Sequence, residues 1–386
     1  MPLANALVAA DELDEPEDRF PLALAFCSEC RLAQITEPVS PDLLFRDYAY
    51  FSSVSDAMVE HARRLVDEVI RRVGLDKASL VVELASNDGY LLQHYVEREI
   101  PVLGIEPARN IAEVAAARGV PTIAEFFGAD LADQLARSGR LADVVHAHNV
   151  LAHVPDVHGF VAGIAKVLKP TGLAVIETPY VRDLVDRLEF DTIYHEHVYY
   201  YSLSSLARLF GQHGLAIVDV ERIAIHGGSL RVYAAHEGSR TPDLAVAQLL
   251  EEEEASGVTR REYFVGFGQR VGALGEELHR VLADFRSRGD SMAGYGAAAK
   301  GTVLLNAFGI GADILDFVAD RSPHKQGYYV PGVHIPIVPS ERLVEAMPDA
   351  TLLLAWNFAE EILEQQRQYR NLGGRFIIPG PTVEVL

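Results

Sequence analysis

Cysteine is almost missing from this chain: 386 residues contain two, Cys27 and Cys30. A disulfide framework is therefore excluded, and a reducing cytoplasm is the expected setting. Basic residues are also short, with Lys+Arg 34 against Asp+Glu 55 and a formal charge of -21. No dense Lys/Arg run offsets that field, which disfavours nucleic acid and anionic membrane surfaces as partners. No apolar run approaches the roughly 20 residues of a membrane span. The opening MPLANALVAADELDEPED lacks the basic start and apolar core of a signal peptide. The composition assigns no oligomeric state.

What is present is alternation. After a helical pattern from Ala57 to Val73, short apolar runs (SLVVELA, PVLGIEP, LADVVHAHN, GLAVIETP) alternate with amphipathic helical segments. Such runs read as parallel strands covered on both faces. A helical segment from about Pro242 to Arg288 follows, with EEEE at 251–254 expected to be a solvated helix face. A second alternating unit then begins at SMAGYG. The expected architecture is α/β: two doubly wound Rossmann-like units in series, joined by a helical connection, behind a small irregular N-terminal segment. The boundaries fall at residues 1–55, 56–240 and 241–386.

Each unit holds a nucleotide-binding candidate. In the first, strand VVEL runs into ASNDGYLL, where a glycine turn lets backbone N–H groups and a helix N-terminus approach a ligand. Only Gly89 is present, beside Glu83, Asn87 and Asp88, rather than the GxGxxG that a pyrophosphate requires. A cationic, phosphate-free ligand suits this lining. Glu106, ending the next strand, can accept from both hydroxyls of a ribose, and Phe126 can flank an adenine. His148 and Asn149 end the fourth strand. A bound adenosyl group outweighs the bland alternative of a plain strand–helix turn.

In the second unit, GYGAAAKG supplies Gly294, Gly296 and Lys300, and its first six residues satisfy GxGxxA. Asp320 follows at roughly the 20-residue separation of a ribose-binding acid. Taken alone this suits NAD, the phosphates of another nucleotide, or glycines used only for packing.

The densest chemistry lies in FDTIYHEHVYYYS, residues 190–202. His195 or His197 can remove a proton near neutral pH, and Tyr194 can donate to a developing oxyanion. Glu196 can orient a neighbour. In an extended segment His195 and His197 would share one face, with Tyr194 and Glu196 on the other. HEH is not HExxH and has no third ligand nearby, so metal is disfavoured. A hydrogen-bonded aromatic connector is the bland reading.

LFRDYAYFSSVS, VVELASNDGYLL, LGIEP, HNVLAHVPD, FDTIYHEHVYYYS, HGGSLRVY and GYGAAAKG occur in an order that resembles the sugar C-methyltransferases, over nearly the whole chain. The resemblance implies S-adenosylmethionine in the first unit and a nucleotide-linked 4-keto-deoxysugar as substrate, held in part by the second unit through Gly294, Gly296, Lys300 and Asp320. It implies His197 as general base, with Tyr194, Glu196, His153 and Tyr48 facing the same cavity, and C-3 as the favoured methylation position. The competing readings are an NAD-dependent nucleotide-sugar oxidoreductase and a non-catalytic sugar-nucleotide-binding protein. Members of the family usually begin with a zinc domain built from two CxxC pairs. This chain has one, Cys27–Cys30, and two thiolates do not complete a tetrahedral site. Zinc is therefore doubtful, and the N-terminal segment is expected to be loose.

Overall fold

The structure, a computed structural model, describes residues 1–45 and 51–386; the side chains of Phe45, Asp56 and His226 are outside this description. Tyr48 lies outside the described residues.

The first unit is a seven-stranded sheet. From one edge its strands are Thr122–Ile123, Val102–Ile105, Val81–Leu84, Ala142–His148 and Leu168–Pro179, all parallel, then Ser229–His236, antiparallel to both its neighbours, and Leu215–Ile223 at the far edge. Apolar runs are continuous in the central strands because both faces are covered. On one face Val82, Leu84, Val145, Ala147, Ala174 and Ile176 pack against residues of helices Ala129–Arg137, Val157–Val167 and Leu203–Gly211. On the other, Val81, Val144, Leu173 and Val175 meet helix Asp56–Val73. That helix starts on Ser55, whose hydroxyl accepts from Met58 N–H, and stops at Gly74 with φ 76°. Its Leu65, Val66 and Val69 are buried, each burial contributing about 1.5–3 kcal/mol.

The second unit is a six-stranded sheet in the order Ile337–Pro339, Val318–Asp320, Met292–Tyr295, Ala350–Leu353, Arg375–Ile378 and Glu384–Val385, parallel except for the last strand. In both sheets the strand order reverses beside the unit's first strand. Those switch points, at the carboxyl ends of Val81–Leu84 and Met292–Tyr295, are where doubly wound sheets open a crevice for ligands.

The structure corrects or refines four expectations. The N-terminal segment is packed, not loose. Leu24–Phe26 and Ala33–Ile35 form a three-stranded antiparallel sheet with Tyr199–Tyr200 from the aromatic stretch. Val8 pairs with Tyr329, and Thr302 donates to the carbonyl of Ala4 at 3.1 Å. The segment thus contacts both units, and long-range pairing of this kind leaves no local sequence pattern.

The helical connection is two helices, Leu244–Ser256 and Arg261–Ser287, separated at Gly257 with φ 82°. Nor is EEEE uniformly solvated. Glu251, Glu252 and Glu254 are exposed, but Glu253 is fully buried. Its carboxylate accepts from Leu203 N–H at 2.6 Å, Ser204 N–H at 2.8 Å and the Ser204 hydroxyl at 2.6 Å. A carboxylate there satisfies N–H groups that open helix Leu203–Gly211 and complements its dipole.

Finally, the 190–202 stretch is not extended through its histidines. A 3-10 turn at Phe190–Thr192 and further turns precede strand Tyr199–Tyr200. Tyr194 and His197 therefore meet instead of facing apart, with ring centroids 4.3 Å from each other.

Candidate active site

The turn after Val81–Leu84 is built on alternation of backbone handedness. Ala85 (φ 54°), Asn87 (φ 49°) and Gly89 (φ 78°) all adopt left-handed conformations, a rare state for Ala in particular. In the sequence Gly89 marks the turn most directly, because glycine takes such a φ most readily. A Cβ on Gly89 would stand 2.9 Å from Val120 Cγ2, so both conformation and space demand glycine. Glu106 pins the turn: one carboxylate oxygen accepts from Asn87 N–H at 3.0 Å and the other from Ala108 N–H at 2.9 Å. Burial raises its pKa above the usual carboxylate value, and those two N–H groups pull it partly back.

A strap from residues 52–53 closes on the turn. Ser52 N–H donates to Asn87 Oδ1 at 2.9 Å, and the Ser53 hydroxyl donates to Asp88 Oδ2. Arg118 donates to the same Asp88 oxygen at 2.9 Å. Around this turn Glu83 Oε2, Ser86 Oγ, Asp88 Oδ1 and Asn149 Oδ1 are buried without partners. Buried polar atoms are normally satisfied, so four orphans beside one switch point mark a polar ligand site. Burial, reinforced by Glu106, Asp88 and Glu177, drives Glu83 well above the ordinary carboxylate range; a cationic ligand would reverse that penalty. The residues present fit S-adenosylmethionine.

Two expected cofactor residues sit differently. Phe126 is 47 % exposed, at the end of Thr122–Ile123. His148 turns into a buried chain under helix Asp56–Val73: its Nδ1 is 3.1 Å from Glu177 Oε2, and its Nε2 is 2.8 Å from His146 Nδ1. Tyr95 closes the chain on His146 at 2.8 Å, while His61 and Arg231 reach Glu177 at 3.0 and 2.7 Å. This network escaped the sequence reading because its members are far apart in the chain.

The second cluster gathers around His197. Its Nδ1 lies 2.9 Å from Thr192 O and its Nε2 3.4 Å from Tyr194 Oη. The His153 ring is 4.9 Å away, and His153 Nδ1 is 2.7 Å from the carbonyl of Glu196. Burial pushes His153 down to about 4, so it is neutral at physiological pH. The Glu196 carboxylate accepts from Asn5 Nδ2 at 2.5 Å, a partner in the N-terminal segment. His195 is separated from this group: Nε2 is 3.2 Å from Pro21 O, and Phe20 packs edge-on at 5.9 Å. Three tyrosines are structural donors, Tyr199 to Pro155 O, Tyr200 to His197 O and Tyr201 to Leu151 O. Tyr199 and Tyr201 tie the stretch to the loop that carries His153, and Tyr200 closes back on His197 within it. The connector reading of the stretch thus applies to Tyr199, Tyr200 and Tyr201.

In the second unit, Gly296 has φ 90°, and a Cβ there would meet Ala355 at 2.8 Å. Gly294 lies in its strand, where a Cβ would stand 3.0 Å from Val318 Cγ2. Asp320 braces the glycine loop, accepting from Ala297 N–H at 2.6 Å and Ser322 N–H at 2.7 Å. Lys300 opens helix Ala299–Phe308, with its ammonium 5.6 Å from the Trp356 ring centroid.

Comparison with known proteins decides the family. The chain is 40% identical over 390 aligned residues to C-methyltransferase NovU of Streptomyces niveus, covering 100% of this chain and 92% of that protein. This chain belongs to the C-methyltransferase family. Three family descriptions match along it: a putative zinc binding domain over residues 1–45, a methyltransferase domain over 58–220, and a C-methyltransferase C-terminal domain over 224–381. A ubiquinone biosynthesis O-methyltransferase of Bartonella bacilliformis is 30% identical over 25% of this chain and 40% of its own length. Among solved structures, magnesium protoporphyrin IX methyltransferase from Synechocystis matches 51% of this chain and 89% of its own, at 15% identity and a TM-score of 0.35.

The methyltransferase uses S-adenosylmethionine, and the partnerless buried oxygens around residues 83–89 fit such a ligand. Zinc fares differently. The segment matched to a zinc-binding description contributes the thiols of Cys27 and Cys30, and no cluster of three or more His, Cys, Asp or Glu suited to a metal occurs among the described residues. That donor set does not fit a closed zinc site. Among the described residues no helix is long and apolar enough to cross a membrane.

Proposed function

We propose that this enzyme methylates the carbon next to the ketone of a nucleotide-linked 4-keto-deoxysugar, with C-3 as the favoured position and His197 as general base. The observation carrying this reading is the contact between His197 Nδ1 and Thr192 O at 2.9 Å. A carbonyl only accepts, so the Nδ1 of neutral His197 holds the proton and its lone pair lies on Nε2. That nitrogen is on the Tyr194 side of the ring.

A C–H bond beside a ketone is acidic because its electron pair delocalises onto oxygen. Catalysis therefore pairs a base at carbon with a donor at the oxygen. Nε2 of His197 takes the proton, and the Tyr194 hydroxyl donates to the enolate oxygen. His153 is less suited to that second task, because its ring is held by the backbone of Glu196, at 2.7 Å from Nδ1, and of Asn149. It instead holds the Glu196 backbone next to the base. S-adenosylmethionine, when bound, supplies an electrophilic methyl group to the carbon so activated. Glu196, braced by Asn5, shapes the cavity wall, and Tyr48 is assigned to the same cavity by resemblance. At the second switch point Gly294, Gly296 and Lys300 receive the nucleotide, and Asp320 supports the loop beneath it.

The test uses dTDP-4-keto-6-deoxyglucose. Labelled cofactor followed by NMR locates the transferred methyl, expected at C-3. Without cofactor, the sugar alpha proton should exchange with solvent deuterium in the native enzyme. An intact exchange rate in His197→Asn removes the imidazole from the mechanism.

A further inference from the structure

Asp191 lies where the two units meet. Its turn, Phe190–Thr192, packs on helix Ala299–Phe308 of the second unit, with the Phe190 and Phe308 rings 4.8 Å apart. The side chain is fully buried. Oδ2 accepts the indole N–H of Trp356 at 2.7 Å, so the second unit holds one side of the carboxylate. Oδ1 is buried and has no partner. Burial pushes this carboxyl up to about 6, with Lys300 pulling in the opposite direction. Asn357, next to Trp356 in the chain, also has a buried side-chain oxygen without a partner. Open acceptors call for a ligand that brings donors. On the other side of Asp191 the chain continues directly into Thr192, whose carbonyl faces His197 Nδ1.

We propose that Asp191 is a positioning residue: its Oδ1 accepts a hydrogen bond from a hydroxyl of the bound nucleotide sugar, and this contact fixes the turn that orients His197. The proposal rests on the nucleotide-sugar reading above. Trp356 holds the carboxylate from the second unit, the ligand hydroxyl completes it, and Thr192 passes the resulting order to the imidazole. An enzyme so built tightens its base when the substrate spans both units. The hydroxyl can come from the hexose or from the ribose, and the two sources are separable.

The experiment is Asp191→Asn in the full chain. The amide oxygen keeps the bond from Trp356, while its NH2 group replaces the open acceptor with a donor. Binding of dTDP, dTDP-4-keto-6-deoxyglucose and S-adenosylhomocysteine is measured by calorimetry, and KM and kcat are measured for alpha-proton exchange. Expected is a fall of at least tenfold in affinity for the keto sugar, a matching rise in KM, and S-adenosylhomocysteine affinity within twofold of native. A loss confined to the keto sugar assigns a hexose hydroxyl; a loss shared with dTDP assigns the ribose. Affinities for both nucleotides within twofold of native overturn the proposal. If the variant no longer binds S-adenosylhomocysteine, Trp356→Phe, which retains the carboxylate but frees it, decides: weakened keto-sugar binding supports the proposal, and native binding overturns it. Absence of alpha-proton exchange in the native enzyme would defeat the general-base reading separately, and the dTDP and keto-sugar affinities would still judge Asp191.

Discussion

His197 and Thr192 are joined by a 2.9 Å contact between a ring nitrogen and a backbone carbonyl, and that contact sets which nitrogen is basic. Orientation of an imidazole by a backbone group is insensitive to the identity of the Thr192 side chain, whose hydroxyl donates to Glu189 O at 2.7 Å.

It follows that replacing His197 should separate chemistry from binding. In His197→Asn, alpha-proton exchange should fall by about 10²–10⁴, the usual contribution of a positioned base. Affinity for S-adenosylhomocysteine should stay within twofold, because the adenosyl site proposed at residues 83–89 and Glu106 does not include His197. Exchange followed by NMR and binding followed by calorimetry check both halves.

Glu253 should behave unlike its neighbours in EEEE. Glu253→Ala strands three donors from Leu203 and Ser204 in a buried place. The expected cost is about 2–4 kcal/mol, given ~1–3 kcal/mol for each unsatisfied donor and some relaxation. Glu251→Ala and Glu252→Ala, both at exposed positions, should stay within about 0.5 kcal/mol. Urea titrations of the three variants measure the contrast.

That contrast also shows where sequence reading stops. The alternating units were legible because sheet strands buried on both faces must be apolar, whatever they pack against. Gly89 was legible because glycine is the usual residue at positive φ. Ala85 shares that conformation without a residue type that announces it, and Asn87 announces it only weakly. Four consecutive glutamates look identical in sequence, and only the approach of Leu203 distinguishes the third. In an extended chain Tyr194 and His197 would lie on opposite faces; the turns between them bring the rings together. Asn5 could not be matched to Glu196, nor Trp356 to Asp191, since such pairs depend on how distant segments dock.

Glu189 supplies a pH dependence. Burial pushes its carboxyl up to about 7 from an ordinary 4.5, against the pull of Lys300 and Arg187. Between those values the native state holds a proton that the unfolded chain has released. Stability contributed by this group therefore falls as pH rises from about 4.5 to 7, and its cost is full above that window. Glu189→Gln removes the cost. At pH 8 the variant should be more stable than the native enzyme by about 2 kcal/mol, allowing for partial solvent access. At pH 4.5 the difference should nearly vanish. Chemical denaturation at both pH values tests the sign, and a variant less stable at pH 8 would contradict it.

The cofactor turn offers a test in which two neighbouring small-residue exchanges have opposite signs. Ala85 holds φ 54°, a conformation that costs a residue with a Cβ roughly 1–2 kcal/mol. Ala85→Gly relieves that cost but adds unfolded-state entropy of roughly 0.5–1 kcal/mol, so a small net gain of about 0.5 kcal/mol is expected. Gly89→Ala is the reverse. Its φ of 78° acquires the same penalty, and the new methyl meets Val120 Cγ2 at 2.9 Å. Displacement of the turn then disturbs Asn87 and Asp88, whose contacts to Ser52, Ser53 and Glu106 hold the site together. A loss of about 2–3 kcal/mol in stability is expected from strain and overpacking. S-adenosylhomocysteine binding should weaken in Gly89→Ala and be retained in Ala85→Gly. Thermal unfolding and calorimetry on the two variants distinguish a turn shaped for its ligand from one tolerant of either residue, because tolerance would leave both properties unchanged.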